Sequence, residues 1–308
     1  ANNLMTASRK VLITGADGFI GNKLVNTLKK TKHQLFLCKR KDTKKNVSKN
    51  IKVIYEGNLL SAELDKLTKN IDIIIHCAAI VHKIYYAQGK AGYLINNTTL
   101  TSNLAKAGKI NNIKKFIFLS TAGIHSDSNN SSIKISENIY INPKSLYTIS
   151  KLKAENLLFE IFKNSNISLI NLRPPAVYGD GVKGNLKSLI FLIKKRIPLP
   201  FEYFNINKRS YISIENLVDI IVTCIKYKEK VRASFLISDD NQFSTKELTL
   251  FLAKRLKLKV TLFKFPVKIL YYIALILGKL EQYNRINNSF VLNTKAFNKT
   301  FNWRPKKK

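Results

Sequence analysis

The first 172 residues alternate short apolar runs with longer amphipathic segments, the rhythm of a parallel sheet with crossover helices. Six runs read as strands: residues 10–14, 35–39, 52–56, 71–78, 116–120 and 168–172. Each is rich in Ile, Val, Leu or Phe and is bounded by Gly, Asn, Asp or Lys. Between them, the periodicity predicts helices over 18–30, 93–107 and 145–163. Right-handed crossovers make such a sheet doubly wound. The predicted fold class is therefore α/β, a Rossmann-type doubly wound parallel sheet with a smaller C-terminal substrate domain.

After Pro174 and Pro175 the rhythm breaks. Gly179, Gly181 and Gly184 fall in a loop, residues 186–195 read as a helix, and Pro198 and Pro200 make a turn. Residues 214–227 and 235–237 read as a helix and a strand that return to the sheet, and 245–257 as a helix of the smaller domain. The expected division assigns 1–172 with 211–238 to the dinucleotide-binding domain and 173–210 with 239–308 to the substrate domain.

Charge changes this picture less than its size suggests. Lys and Arg number 53 against 19 Asp and Glu, a formal charge of +34 in 308 residues. A nucleic-acid partner needs clustered cations that release counterions, whereas Lys, Asn and Ile are abundant here from end to end. The charge reads as a compositional bias over solvated faces, with no nucleic acid expected. Cys38, Cys77 and Cys224 are an odd, widely spaced set that fits a reducing cytoplasm. The four His, at 33, 76, 82 and 125, show no metal spacing, so no metal is expected. The opening residues read as short and polar rather than as a signal leader. Residues 267–280, VKILYYIALILGKL, are shorter than the roughly 20 residues a spanning helix needs. They read as a core or pocket-wall helix, with contact at the inner membrane surface as a second expectation.

Candidate chemistry concentrates at three places. Val11-Leu-Ile-Thr-Gly15-Ala-Asp-Gly18-Phe-Ile-Gly21 sets three glycines between the first strand and the first helix, where backbone N–H groups at a helix start can approach a pyrophosphate. Gly15, Asp17, Gly18, Phe19, Ile20 and Gly21 are thus candidates for holding a dinucleotide. The second strand ends in Lys39 and Arg40, cations where a carboxylate would hold the ribose of NAD, which tilts the expectation to NADP over NAD. Tyr147 and Lys151 lie one helical turn apart, an acid–base unit in which the ammonium can lower the phenol's pKa and help hold a ribose. Thr121 ends a strand beside the same crevice, placed to hydrogen-bond a reacting oxygen.

The glycine turn, the strand-end hydroxyl and Tyr-x-x-x-Lys, in this order, resemble the extended short-chain dehydrogenase/reductase family, in its NAD-dependent epimerase/dehydratase (UDP-glucose 4-epimerase-like) branch. His76-Cys-Ala-Ala79, Asn97, Arg173-Pro-Pro-Ala-Val-Tyr-Gly179, Gly184-Asn-Leu186 and Asn207-Lys-Arg-Ser-Tyr-Ile-Ser-Ile-Glu-Asn-Leu-Val-Asp219 match it as well. Nearest is the subgroup of 4-ketoreductases and 4-epimerases of surface-polysaccharide and lipopolysaccharide biosynthesis. The resemblance implies catalytic roles for Thr121, Tyr147 and Lys151. It implies cofactor contacts at Asn58, Leu59, Ala78, Ala79, Asn97, Pro174 and Val177, and substrate contacts at His82, Asn185, Arg209 and Arg285. It also implies a homodimer built through a helical bundle. Asn58, Glu215 and Asn293 stand where the family has Asp.

The implied reaction is hydride transfer at C4 of a UDP-sugar, with Tyr147 moving the O4 proton. Ala122 and Gly123 after Thr121 lack the acid pair of a 4,6-dehydratase. Lys39 and Arg40 tilt the expectation to a UDP-4-keto-6-deoxy-N-acetylhexosamine 4-reductase, with a UDP-glucose or UDP-N-acetylglucosamine 4-epimerase as the alternative. A non-catalytic NAD(P)-binding sensor is the alternative of another class, against which the Thr121, Tyr147 and Lys151 set argues.

Overall fold

A computed structural model describes residues 7–40, 48–80, 91–126, 133–139 and 141–306. In chain order the strands are β1 (Lys10–Thr14), β2 (Gln34–Lys39), β3 (Ile51–Glu56), β4 (Ile73–His76), β5 (Lys115–Leu119), β6 (Lys134–Ile135), β7 (Ser168–Arg173), β8 (Ala176–Tyr178), β9 (Arg209–Ser213), β10 (Arg232–Leu236), β11 (Gln242–Phe243) and β12 (Val291–Leu292). The helices are α1 (Phe19–Leu28), α2 (Leu64–Thr68), α3 (Ala91–Tyr93), α4 (Leu100–Ile110), α5 (Leu146–Phe162), α6 (Asn185–Lys194), α7 (Ile214–Lys226), α8 (Thr245–Arg255), α9 (Val267–Ile276), α10 (Leu280–Asn287) and α11 (Lys295–Phe301). A π-helical segment, Leu94–Thr99, joins α3 to α4.

Seven strands form one parallel sheet in the order β10-β7-β5-β4-β1-β2-β3. The order reverses beside β1, and the carboxyl ends of β1 and β4 border the crevice where such sheets bind ligands. Strand residues serve two cores by simple alternation. Val11, Ile13, Ile73, Ile75, Ile117 and Ile170 pack with α1, α7 and α11. Leu12, Ile74, Phe116, Phe118 and Leu169 pack with α4 and α5. Both faces are covered, which explains why these strands read as continuous apolar runs.

A separate sheet, β11-β9-β8, carries the segments that follow β7 and β10. The sequence pattern showed neither this sheet nor the β6–β12 pair, because their strands span two, three or five residues and carry no periodicity. The apolar run 267–280 is also not one helix. It breaks at Gly278 (φ +63), where Lys279 N–H reaches back to the Ala274 carbonyl at 2.7 Å, a left-handed helix stop that glycine accommodates.

Beneath the crevice, Arg173 at the end of β7 is buried against Glu155 of α5. Its Nε donates to Glu155 Oε1 at 3.1 Å and its Nη2 to Oε2 at 2.6 Å, while Nη1 donates to the Glu137 carbonyl at 2.9 Å. The Ser234 hydroxyl of β10 adds a bond to Glu155 Oε2 at 2.8 Å. This pair ties β7, α5 and β10 together directly below Pro174. Removing one partner of a buried pair strands the other charge. Arg173→Met is expected to destabilise the fold by about 3–5 kcal/mol in urea unfolding, and a loss below about 1 kcal/mol would contradict this role.

Candidate active site

The glycine turn sits where β1 meets α1. Gly15 takes φ +66, and a Cβ there would fall 2.8 Å from the Ala78 nitrogen. A Cβ on Gly21 would lie 2.1 Å from the Gly15 carbonyl oxygen, so α1 can start this close to the strand only without a side chain at that point. The first turn of α1 has no acidic residue and Gly18 offers no side-chain cap. The N–H groups at the start of α1 therefore face outward with the positive end of the helix, a fit for a pyrophosphate. Asp17 accepts the Arg40 backbone N–H at 3.2 Å, fastening the turn to the end of β2.

At that sheet edge Lys39 is half-buried and the Arg40 side chain is exposed. Gly57 N–H donates to the Lys39 carbonyl at 2.9 Å, bringing Asn58 and Leu59 alongside. The Asn58 side chain accepts from Leu60 N–H at 3.2 Å, capping the short turn that buries Leu59.

Behind the turn runs a chain of buried hydrogen bonds. Ala78 N–H donates to Thr14 Oγ1 at 3.3 Å, and Thr14 Oγ1 lies 2.7 Å from His76 Nδ1. His76 Nε2 lies 2.9 Å from Thr101 Oγ1, which donates to the Asn97 carbonyl at 2.6 Å. Because the Thr101 hydroxyl spends its proton on that carbonyl, it accepts from His76, placing the imidazole proton on Nε2. Burial, then the nearby Lys151 charge, pushes His76 down to about 3 and keeps it neutral. The Asn97 amide is used within the chain: it donates to the Ile80 carbonyl and Ser150 Oγ, both at 3.0 Å, and accepts from Ile80 N–H at 2.8 Å. Asn97 thus clamps the segment after β4 onto α5 and shapes the crevice behind Ala78 and Ala79. Thr14, Thr101 and Ser150 escaped the sequence reading because an isolated hydroxyl in an apolar run carries no pattern.

Thr121, Tyr147 and Lys151 come together at the carboxyl edge of the sheet. Ser145 caps α5 in a reciprocal arrangement with Thr148, which fixes the helix start and the direction of Tyr147. Thr121 Oγ1 accepts Gly123 N–H at 3.0 Å, and its hydroxyl hydrogen-bonds the Tyr147 phenol. Lys151 is buried, donates from Nζ to the Leu119 carbonyl at 2.6 Å and stands 4.4 Å over the Phe118 ring. Burial pushes its ammonium down to about 8 and the Tyr147 phenol up to about 12. The expectation that Lys151 lowers the phenol is thus not met in this geometry. The ammonium is turned to the β5 carbonyl, and the Thr121 hydrogen bond is what opposes burial at Tyr147. Ser120, buried beside Thr121, has a hydroxyl without a partner among the described residues.

Pro174 follows β7 and its carbonyl accepts Ala122 N–H at 2.8 Å, which places Pro174 beside Thr121, while Val177 of β8 pairs with Ile212 of β9. Arg209 begins β9, donates from Nη1 to the Asn288 carbonyl at 2.8 Å and stacks over Phe290 at 5.2 Å. That bond ties β9 to the end of α10, whose exposed Arg285 pairs with Glu281. Asn185 opens α6 and is exposed. His82 lies outside the described residues. Glu215 pairs with Lys23 at 3.2 Å, and Asn293 accepts from Lys295 N–H at 3.1 Å. Among the described residues no group of His, Cys, Asp or Glu could hold a metal, and no helix is long and apolar enough to cross a membrane.

The chain is 33% identical over 303 residues, 96% of this chain and 91% of the relative, to a UDP-glucose 4-epimerase of Vibrio cholerae. A solved UDP-glucuronic acid 4-epimerase from Bacillus cereus in complex with NAD superposes with a TM-score of 0.77 at 20% identity, over 97% of this chain and 94% of that one. The UDP-N-acetylglucosamine 4-epimerase of Methanobrevibacter ruminantium, in complex with UDP-N-acetylmuramic acid, gives 0.76 at 18% identity, over 97% and 93%. These two structures share the fold. The model of the NAD dependent epimerase/dehydratase family matches residues 11–237, the span that holds the glycine turn, Thr121, Tyr147 and Lys151, and the chain belongs to that family.

Proposed function

We propose that the protein is a UDP-hexose 4-epimerase that keeps NAD bound through its cycle. The observation that carries this reading is the near full-length similarity to the Vibrio cholerae UDP-glucose 4-epimerase, in a chain whose Thr121, Tyr147 and Lys151 converge at one edge of the sheet. When bound, NAD would supply the hydride acceptor and donor for C4. Tyr147 removes the O4 proton as C4 is oxidised and gives it back on reduction. Thr121 holds the same oxygen through its hydroxyl. Lys151 Nζ spends one of its donors on the Leu119 carbonyl and offers another to a ribose hydroxyl.

The other residues bind and orient. The turn Gly15 to Gly21 and the start of α1 take the pyrophosphate, and the edge formed by Lys39, Arg40, Asn58 and Leu59 takes the adenosine end. Pro174, Pro175 and Val177 flank the nicotinamide. Arg209 and Arg285 hold the UDP diphosphate and Asn185 faces the nucleotide. That remote binding energy orients the hexose ring.

Lys39 and Arg40 at the end of β2 favour a second reading, a UDP-4-keto-sugar 4-reductase using exchangeable NADPH. The two separate in one experiment. Protein denatured after purification is expected to release near-stoichiometric NAD, identified by chromatography. Nucleotide-free protein that binds NADPH much more tightly than NADH would replace the epimerase with the reductase. Tyr147→Phe is expected to keep the bound nucleotide and lose turnover by about 10²–10⁴-fold. Unchanged turnover in that variant would remove Tyr147 from the chemistry.

A further inference from the structure

Helix α9 is apolar on both of its faces. Ala274 is buried, and Val267, Leu270 and Tyr271 pack inward with it against Phe201, Phe204, Leu280 and Tyr283. The opposite face presents Ile269, Tyr272, Ile273, Leu275 and Ile276 to solvent, and Leu277 continues it past the helix end. Ile276 is 83% exposed and Tyr272 60%. A surface helix of a globular chain ordinarily turns a polar face outward, and contiguous exposed apolar area marks an interaction site.

The charge around this face identifies what it fits. Within residues 257–285 stand Lys257, Lys259, Lys264, Lys268, Lys279 and Arg285 against the single acid Glu281, which Arg285 already pairs. Lys264 and Lys268 lie at the start of α9 and Lys279 follows its end, all exposed. Phe263, 41% exposed, extends the apolar surface ahead of Lys264. An apolar strip with a tyrosine in it and ammonium groups at both ends matches a bilayer interface, where the strip enters the acyl boundary and the lysines reach anionic headgroups.

Length fixes the mode. Ten residues make a helix of about 15 Å, half of a hydrocarbon core of about 30 Å. The glycine stop at 278 turns the chain back, so α9 can lie only in the plane of the surface. A second copy of the chain would have to cover the same strip while bringing its own cluster of lysines against this one, which like charge opposes.

We propose that α9 and its flanking lysines dock the protein on an anionic membrane surface, with the outer face of α9 inserted and the crevice left in water. Docking at α9 adjoins the sugar-nucleotide end of the molecule. Tyr271 packs on Tyr283 of α10 with ring centroids 5.5 Å apart, and the end of α10 is bonded to Arg209.

The test is co-sedimentation of the full chain with vesicles of phosphatidylcholine alone or containing about a third phosphatidylglycerol, at about 150 mM salt. Binding is expected only to the anionic vesicles, and Ile276→Asp is expected to weaken it at least about tenfold, with thermal midpoint and turnover on soluble UDP-sugar unchanged. Wild-type protein that stays in the supernatant of anionic vesicles overturns the proposal. So does equal binding by Ile276→Asp, which would mean that charge alone attracts the chain. Sedimentation velocity supplies the last outcome: an Ile276→Asp variant that shifts from an oligomer to a monomer assigns the strip to a second copy.

Discussion

How closely α1 approaches the end of β1 determines most of what this molecule can bind. The Gly21 position lies so near the Gly15 carbonyl that a methyl group there would overlap it. With both positions bare, the helix starts directly over the strand and leaves its first N–H groups without internal partners. Everything that serves the crevice is arranged around that opening. Thr14, itself held by the neutral His76, accepts the Ala78 N–H from behind, Asp17 fastens the turn to β2, and Asn97 fixes the wall after β4 to α5. A longer side chain in the turn would lift α1 away, and the buried bonds behind it would have nothing to position.

The reacting edge shows a different balance, between burial and charge. Lys151 is buried in the helix that carries Tyr147, yet in the structure it serves the Leu119 carbonyl and the face of Phe118. Burial disfavours both of the charged forms that chemistry would use, the ammonium of Lys151 and the phenolate of Tyr147. Such a site holds its groups in place at a cost and recovers that cost when substrate and cofactor fill the crevice with charge.

The seven-stranded sheet was legible because its central strands β1, β4, β5 and β7 are buried on both faces and so leave apolar runs in the sequence. The glycine turn was legible because spacing alone marks it, and Thr121, Tyr147 and Lys151 because resemblance singled them out. The small sheets were not, since two-residue strands such as β6 and β12 are fixed by tertiary pairing rather than by pattern. Nor was the break in α9. The sequence shows a continuous apolar stretch, and only the backbone reveals that Gly278 ends the helix with half of its apolar side chains outside. The Thr14–His76–Thr101 chain stayed hidden because its members are far apart in sequence and meet only when β1, β4 and α4 are assembled. Arg173 was legible as part of a family-like segment, but its buried pairing with Glu155 was not.

A UDP-hexose 4-epimerase of the proposed kind oxidises and re-reduces C4 with the proton handled by a side chain and the C4 hydrogen never exchanged with water. The most direct test is to incubate the protein in deuterium oxide with UDP-glucose, UDP-N-acetylglucosamine or UDP-glucuronic acid and follow the products by NMR. The account predicts the 4-epimer of at least one of them, formed without added cofactor and carrying no solvent deuterium at C4. Deuterium at C4, or no epimer from any of the three, would contradict it.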